Sequence, residues 1–302
     1  MIDCTLVTCE GVPALDPDDR LLLDELRNRG LSVSIAIWSD PSAQWGASRL
    51  CLLRSTWDYH HRYSEFFAWL ERAETLTNVK NEPLLIRWNS HKSYLRELER
   101  RGVRVVPTTW IARGSKQNLV ELARGNGWSD LVLKPAYGAA SHEVRLIRGA
   151  AAGHAAGQAH LDRMTRVHDV LVQPYLDAVV GYGERALVFF AGRYSHAVVK
   201  KPFDTVLAVG DARSSRVEAD ACEIETARQA LRAVPGRPLY ARVDLLRDDS
   251  HNVCVSEVEL IEPGLYLGVD ASATRLFAET IESELASAPL TSSVRSAAPD
   301  GR

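Results

Sequence analysis

Two late stretches of the chain alternate charge with apolar side chains, and that alternation restricts the fold more than any other feature. Residues 239–246 contain Arg242 and Asp244, and residues 253–261 contain Glu257 and Glu259. Side chains two apart on a strand share a face, so each charged pair points one way while the apolar residues between point the other. Asp248, Asp249, Ser250, His251 and Asn252 separate the stretches, so the two strands can pair as a hairpin. Arg242, Asp244, Glu257 and Glu259 then meet on one surface. Carboxylates so close repel, and burying any of them unpaired costs roughly several kcal/mol. They need a counter-charge. Hard oxygen ligands suit Mg²⁺, which binds one or two carboxylates together with substrate phosphates.

Lysines at element ends extend the pattern. Lys134 closes the apolar run 131–133 before Pro135, and Lys200 and Lys201 end another run before Pro202. Lys92 falls in the first turn of a helix expected over 89–101 and capped by Asn89 or Ser90. The helix dipole disfavours a cation there, which points to an anion nearby. Upstream, strand 4–9, helix 17–28, strand 32–38, a third strand 49–54 and a helix capped by Ser64 read as an open parallel sheet. Asp16 caps the first helix, Pro17 opens it and Gly30 follows its end. Carboxyl ends of strands face the ligand crevice in such sheets, which puts Arg54, Ser55, Trp57, Asp58 and Tyr59 at a site. Arg54 is expected to hold a substrate carboxylate and Asp58 an ammonium, with Glu10 and Tyr266 as further contacts. The middle is expected as strand 103–110, helix 117–124 and a hairpin of 131–134 with 143–147. The last third is expected as a largely antiparallel α+β unit.

The 302 residues suffice for two or three domains. A net charge of −3 supplies no basic excess for a phosphate backbone, so nucleic acid is not an expected partner. Five cysteines (Cys4, Cys9, Cys51, Cys222, Cys254), odd in number and without a CxxC pair, suggest neither disulfides nor zinc. No apolar run reaches the roughly 20 residues that span a bilayer, so a cytoplasmic protein without a membrane partner is expected. The Ala- and Gly-rich segment 149–160 reads as a mobile connection, and the tail 289–302 as disordered. Neither GxxxxGK[ST] nor a GxGxxG following a strand occurs.

The ordered set resembles the ATP-grasp superfamily over residues 86–268: strand-Lys134-Pro135 with a small-residue loop, Gln173-Pro174-Tyr175-Leu176, Glu184-Arg185, Lys200, Arg242-x-Asp244 and Glu257-x-Glu259. The resemblance implies an α/β and α+β fold. An N-terminal open parallel domain (1–85) would precede two α+β subdomains (86–172 and 173–288) that clasp ATP. By resemblance Lys92, Lys134 and Lys200 contact ATP. Gly138, Ala139 and Ser141 belong to a mobile phosphate-covering loop. Gln173, Tyr175 and Leu176 line adenine, and Glu184 meets the ribose. Arg242, with Lys134 and Lys200, would serve the phosphoryl transfer, while Asp244, Glu257 and Glu259 bind two Mg²⁺. The superfamily's usual third metal ligand is Asn where this chain has Glu259, and its loop is usually richer in glycine.

Arg54-Ser-Thr-Trp57-Asp58-Tyr59, Trp88-Asn89-x-x-Lys92 and Glu257-x-Glu259-x-x-Glu262-Pro263 resemble one branch, which includes the cyclo-ligase that closes D-cycloserine from O-ureido-D-serine. That implies a carboxylate activated by ATP and attacked by a nitrogen of the same amino-acid-sized molecule. Two alternatives remain open: an intermolecular ligase of glutathione-synthetase or D-alanine-ligase type, and a non-catalytic ATP-binding regulatory module. A homodimer is compatible with all three. His142 is either a plain loop histidine or a group near the reacting centre.

Overall fold

The computed structural model describes residues 1–138, 143–149, 151–200 and 214–287. The expectations for Ala139, Ser141, His142, Lys201 and the tail fall outside them.

Strands β1 (Ile2–Thr8), β2 (Val33–Ile37), β3 (Ser48–Ser55) and β4 (Asn78–Lys80) form a parallel sheet in the order β2-β1-β3-β4. Helix α1 (Pro17–Asn28) starts where the Asp16 side chain accepts the Asp18 N–H at 2.9 Å, and ends before Gly30, whose φ of 84° is left-handed. Its Leu22 and Leu26 cover one face of the sheet, and α2 (Tyr63–Leu76) lays Phe66, Trp69 and Leu70 on the other. Arg62, not Ser64, occupies the cap position of α2, and no side chain caps it.

The single helix expected over 89–101 is two: α3 (Pro83–Asn89) and α4 (Tyr94–Arg100). Lys92 lies in the break between them. Beyond it, β5 (Thr109–Ile111), β6 (Leu131–Pro135), β7 (Arg145–Ile147) and β8 (Val170–Pro174) form an antiparallel sheet ordered β5-β8-β6-β7. Two helices, α5 (Leu119–Asn126) and α6 (Ala151–Thr165), pack Leu119, Leu122, Leu161 and Met164 onto it. Helix α6 corrects the reading of 149–160 as a loose connection. The small residues serve close approach, since a Cβ on Gly157 would stand 2.9 Å from Leu119 Cδ2 and 3.0 Å from Ile147 Cδ1.

After α7 (Ala178–Gly181) come β9 (Glu184–Phe190), β10 (Arg193–Lys200), β11 (Ser215–Val217), α8 (Ala221–Arg232), β12 (Tyr240–Arg247), β13 (Val253–Glu259) and α9 (Ala271–Ser287). The five strands form an antiparallel sheet ordered β11-β10-β9-β12-β13. Ala227 and Ala230 of α8 lie against Leu187, Phe189 and Val243 on one face. On the other, Phe277 of α9 stacks on Phe190 with ring centroids 4.4 Å apart and reaches the apolar residues of α1. All five cysteines are free, and among the described residues no helix is long and apolar enough to cross a membrane.

Strand β13 lies at the edge of its sheet, where its outward N–H and C=O groups need partners. The expected strand 103–110 supplies some of them and shortens as a result. Val106 N–H donates to Val255 O at 3.0 Å and Val255 N–H to Arg104 O at 2.9 Å, while Pro107 has no N–H to continue the run. Asn89, expected as a helix cap, instead donates to Val258 O and accepts from Leu260 N, both at 2.8 Å. Tyr94 Oη accepts the Val258 N–H at 3.0 Å. Asn89→Ala strips two buried backbone groups of their partners, and denaturant unfolding is expected to show a loss of about 2–4 kcal/mol. A loss near zero would mean that water replaces the amide.

Candidate active site

The register of β12 against β13 sets Arg242 opposite Glu259 and Asp244 opposite Glu257, with a bulge just beyond Asp244. The four charges therefore share one surface, as their period and the short turn predict. Asp244, 1% exposed, takes two parallel hydrogen bonds from Arg242, Nε to Oδ1 at 2.9 Å and Nη2 to Oδ2 at 3.0 Å. Lys200 Nζ, at the end of β10, adds a third at 2.6 Å and also meets Glu184 Oε2 at 3.0 Å. Arg242 also bonds Glu259 and donates to Gly264 O at 3.1 Å. Lys92 bonds Glu257, reaches Gly138 O at 3.3 Å, and its backbone N–H donates to Ala136 O at 2.8 Å. The break between α3 and α4 thus ties one lysine to the acidic strand and to the loop after β6 together.

Burial opposes every charge here, and neighbours decide the outcome. Against that burial, Arg242 and Lys200 hold the Asp244 carboxyl down to about 2. Lys92 and then Lys134 lower Glu257. Glu259 is pushed up to about 7, by burial first and then, against the pull of Arg242, by Asp244 and Glu257. Lys200 stays above the usual lysine range because Asp244 and Glu184 outweigh its burial. Lys134 is lowered, by burial first, and no carboxylate among the described residues forms an ion pair with it. Glu262, 8% exposed, is pushed up to about 8 by burial and then by Glu259.

The remaining sequence-predicted residues divide. Gln173 is buried and its amide donates to Thr108 Oγ1 at 3.0 Å, Leu176 packs with Val106, Val179 and Leu246, and Arg148 lies 4.6 Å from the Tyr175 ring centroid. Tyr266, at a left-handed φ of 51°, sits with its ring 5.8 Å from the Arg242 guanidinium. Arg54 is not where a substrate can reach it. It is 1% exposed, bonds Asp19 Oδ1 at 2.9 Å and donates to Pro263 O at 2.8 Å. Ser55 is fully buried and donates to Asp19 Oδ2 at 2.6 Å. Asp58, expected to hold an ammonium, accepts Trp38 Nε1–H at 2.7 Å, while Glu10 is exposed and bonds Ser39 and Arg62. Tyr59 is buried against Phe66. Arg54 thus joins the parallel sheet to the loop after β13, while Ser55, Asp58, Glu10 and Tyr59 are bound to neighbours in the N-terminal part of the chain. The pairing of Arg54 with Asp19, 35 positions apart, has no local signature in the sequence.

Asp244, Glu257 and Glu259 offer oxygen donors only. Among the described residues no three such groups converge closely enough to cage an ion by themselves. With Lys134 beside them lacking an anion, this donor set fits a Mg²⁺ that arrives with phosphates.

Solved structures share the fold. The chain is similar to the crystal structure of D-cycloserine synthetase DcsG, with a TM-score of 0.85 and 30% identity over 93% of this chain and 99% of that one. It also matches the ATP-grasp ligase PsnB complexed with minimal precursor, Mg and ADP, at a TM-score of 0.65 over 95% and 100% of the two chains, where 16% identity shows the fold alone. Fold and charged face together define an ATP-grasp ligase, an ATP-dependent enzyme that forms C–N bonds. The family model described as "D-cycloserine synthetase DcsG, N-terminal domain" matches residues 4–81. The cycloserine biosynthesis protein DcsG of Streptomyces lavendulae is 32% identical over 295 residues, covering 93% of this chain and 98% of that protein. The chain belongs to the DcsG family of D-cycloserine synthetases.

Proposed function

We propose that this chain phosphorylates the carboxylate of a single amino-acid-like substrate with ATP and joins the activated carbon to a nitrogen of the same molecule, closing D-cycloserine from O-ureido-D-serine. The observation that carries the reading is the joined face of Arg242, Asp244, Glu257 and Glu259 in a chain similar to DcsG over 93% of its length. Phosphoryl transfer asks the protein for alignment and neutralisation of charge rather than covalent help. Asp244, Glu257 and Glu259 would hold two Mg²⁺, which supply charge neutralisation along the triphosphate.

In the same reading Lys92, Lys134 and Lys200 bind phosphate oxygens, and Gly138 with Ala139 and Ser141 covers them. Gln173, Tyr175 and Leu176 line the adenine, and Glu184 takes the ribose. Arg242, fixed by its paired bonds to Asp244, orients the transferred phosphoryl group on the substrate carboxylate. The nitrogen then attacks the acyl carbon, the bond to the phosphate oxygen breaks, phosphate leaves and the nitrogen gives up its proton. Once the ring has closed, water cleaves the bond from that nitrogen to its carbamoyl carbon: the nitrogen takes a proton, and the group leaves as carbamic acid, which breaks down to ammonia and carbon dioxide. Acyl phosphates react with water, so the loop after β6 must exclude solvent until the ring closes.

The test measures ADP release with O-ureido-D-serine as sole amino acid, then with D-alanine and a second amine. Turnover with the first alone, giving D-cycloserine by mass, is expected. Turnover only when a second amine is supplied would replace cyclisation by intermolecular ligation.

A further inference from the structure

Two ionisable side chains of this site have no opposite partner among the described residues. One is the cation Lys134, on the face with Lys92, Lys200 and Glu257. The other is the carboxyl of Glu262. It is 8% exposed, yet among the described residues no arginine or lysine forms an ion pair with it, and no other residue's hydrogen bond to its carboxyl is found. The charges acting on it most are those of Glu259, Arg242 and Arg54, so it belongs to the boundary between the β12–β13 face and the carboxyl end of β3.

The loop that carries Glu262 is fixed carbonyl by carbonyl. Trp57 Nε1 donates to Glu262 O at 3.2 Å, Arg54 Nη2 to Pro263 O at 2.8 Å, and Arg242 Nη1 to Gly264 O at 3.1 Å. One donor comes from β3, one from the turn that follows it and one from the β12–β13 face. Two arginines are thus within bonding distance of this loop, and both spend their donors on its backbone and on Asp19, Asp244 and Glu259. A buried carboxyl that is held in place but left unmatched costs free energy, and it ionises fully only beside a cation. The chain keeps that cost in a region where every other carboxylate named above is matched.

We propose that Glu262 is the acceptor for the cationic end of the substrate, the α-ammonium of the amino acid whose carboxylate Arg242 and the metals activate. The assignment rests on the single-substrate ligase reading and deepens it. It moves the ammonium from Asp58, whose carboxylate is taken by Trp38, to the unmatched carboxyl three residues beyond Glu259. Arg54 and Trp57 then act as positioning residues that fix the loop without touching the substrate.

The experiment compares wild type, Glu262→Gln and Glu262→Asp with O-ureido-D-serine and with its analogue carrying hydrogen in place of the α-amino group. Glu262→Gln is expected to melt no lower than wild type, because it replaces a buried, unmatched carboxyl by a neutral group of the same shape. Its KM for the amino acid is expected to rise about 30- to 100-fold, with kcat and the KM for ATP within about threefold. Wild type is expected to lose a similar factor on the analogue, and Glu262→Gln to lose no more. Glu262→Asp keeps the charge, so its preference for the amino compound should survive at a smaller KM penalty, which tests the assignment even if the Gln variant does not fold. Equal penalties for the analogue in wild type and variants would overturn the proposal. So would a fall in kcat at unchanged KM, the mark of a proton-transfer group. Failure of wild type to release ADP with O-ureido-D-serine would instead remove the underlying ligase reading, and it is seen before any variant is compared.

Discussion

Arg242→Lys is expected to lower kcat/KM for the amino-acid substrate by about 10³-fold, although the positive charge is retained. The guanidinium makes four bonds at once: two parallel ones to Asp244, one to Glu259 and one to Gly264 O. A lysine ammonium cannot span the Asp244 carboxylate with two fixed donors, nor reach Gly264 O in the same pose. The group proposed to orient the phosphoryl therefore loses its direction, and the loop of Glu262 loses one of its three carbonyl clamps. Lys200 still neutralises Asp244, so the fold is expected to survive at a cost of about 1–2 kcal/mol rather than the larger loss of an unpaired buried carboxylate. Steady-state ADP release at saturating Mg²⁺, with melting measured alongside, separates the two effects. Turnover within tenfold of wild type would remove Arg242 from the chemistry and leave it a structural brace.

The charged face was legible in the sequence because everything that builds it is local. Period-two alternation selects one face for each strand, a short polar turn joins them, and repulsion among Asp244, Glu257 and Glu259 demands cations. Helix α1 was legible for a similar reason, since Asp16, Pro17 and Gly30 are fixed by backbone geometry within a few residues of the helix itself. What the sequence hid is set by partners far along the chain. Asn89 resembles a helix cap until β13 is laid beside it and offers Val258 O and Leu260 N. Arg54 resembles an exposed anion receptor until Asp19 and the Pro263 carbonyl take its donors. The Ala- and Gly-rich α6 reads as a loose connection because the reason for its small residues, contact with Leu119 and Ile147, lies in another helix and another strand. Glu262 carried a signal that was available, an acidic residue directly before Pro-Gly in an otherwise apolar run. It pointed to no role until the fold showed every neighbouring carboxylate matched and this one not.

Lys134→Met is expected to change stability and function in opposite directions, a result that a merely structural lysine would not give. Burial lowers the pKa of Lys134; Glu184 and Glu257 oppose it without an ion pair, and Lys92 and Lys200, of its own sign, add to the lowering. A basic group whose folded pKa lies below its unfolded value binds its proton less tightly in the native state. The penalty is therefore fully present below the folded pKa and fades as pH rises towards the ordinary lysine value of about 10.4. Methionine fills much the same volume without charge, so the unliganded variant is expected to be more stable by about 1 kcal/mol near neutral pH, roughly 2 °C in Tm at this chain length. That gain should shrink when melting is repeated between about pH 9 and pH 10. With Mg²⁺ and ATP the order reverses. On the proposed reading the triphosphate is the anion that Lys134 lacks in the free protein, so wild type is expected to gain stability on binding and the variant little, with its Kd for ATP raised about 100-fold in calorimetric titration. A variant that binds ATP as wild type does, or that melts lower than wild type without nucleotide, would mean that Lys134 serves the fold of β6 and not the phosphates.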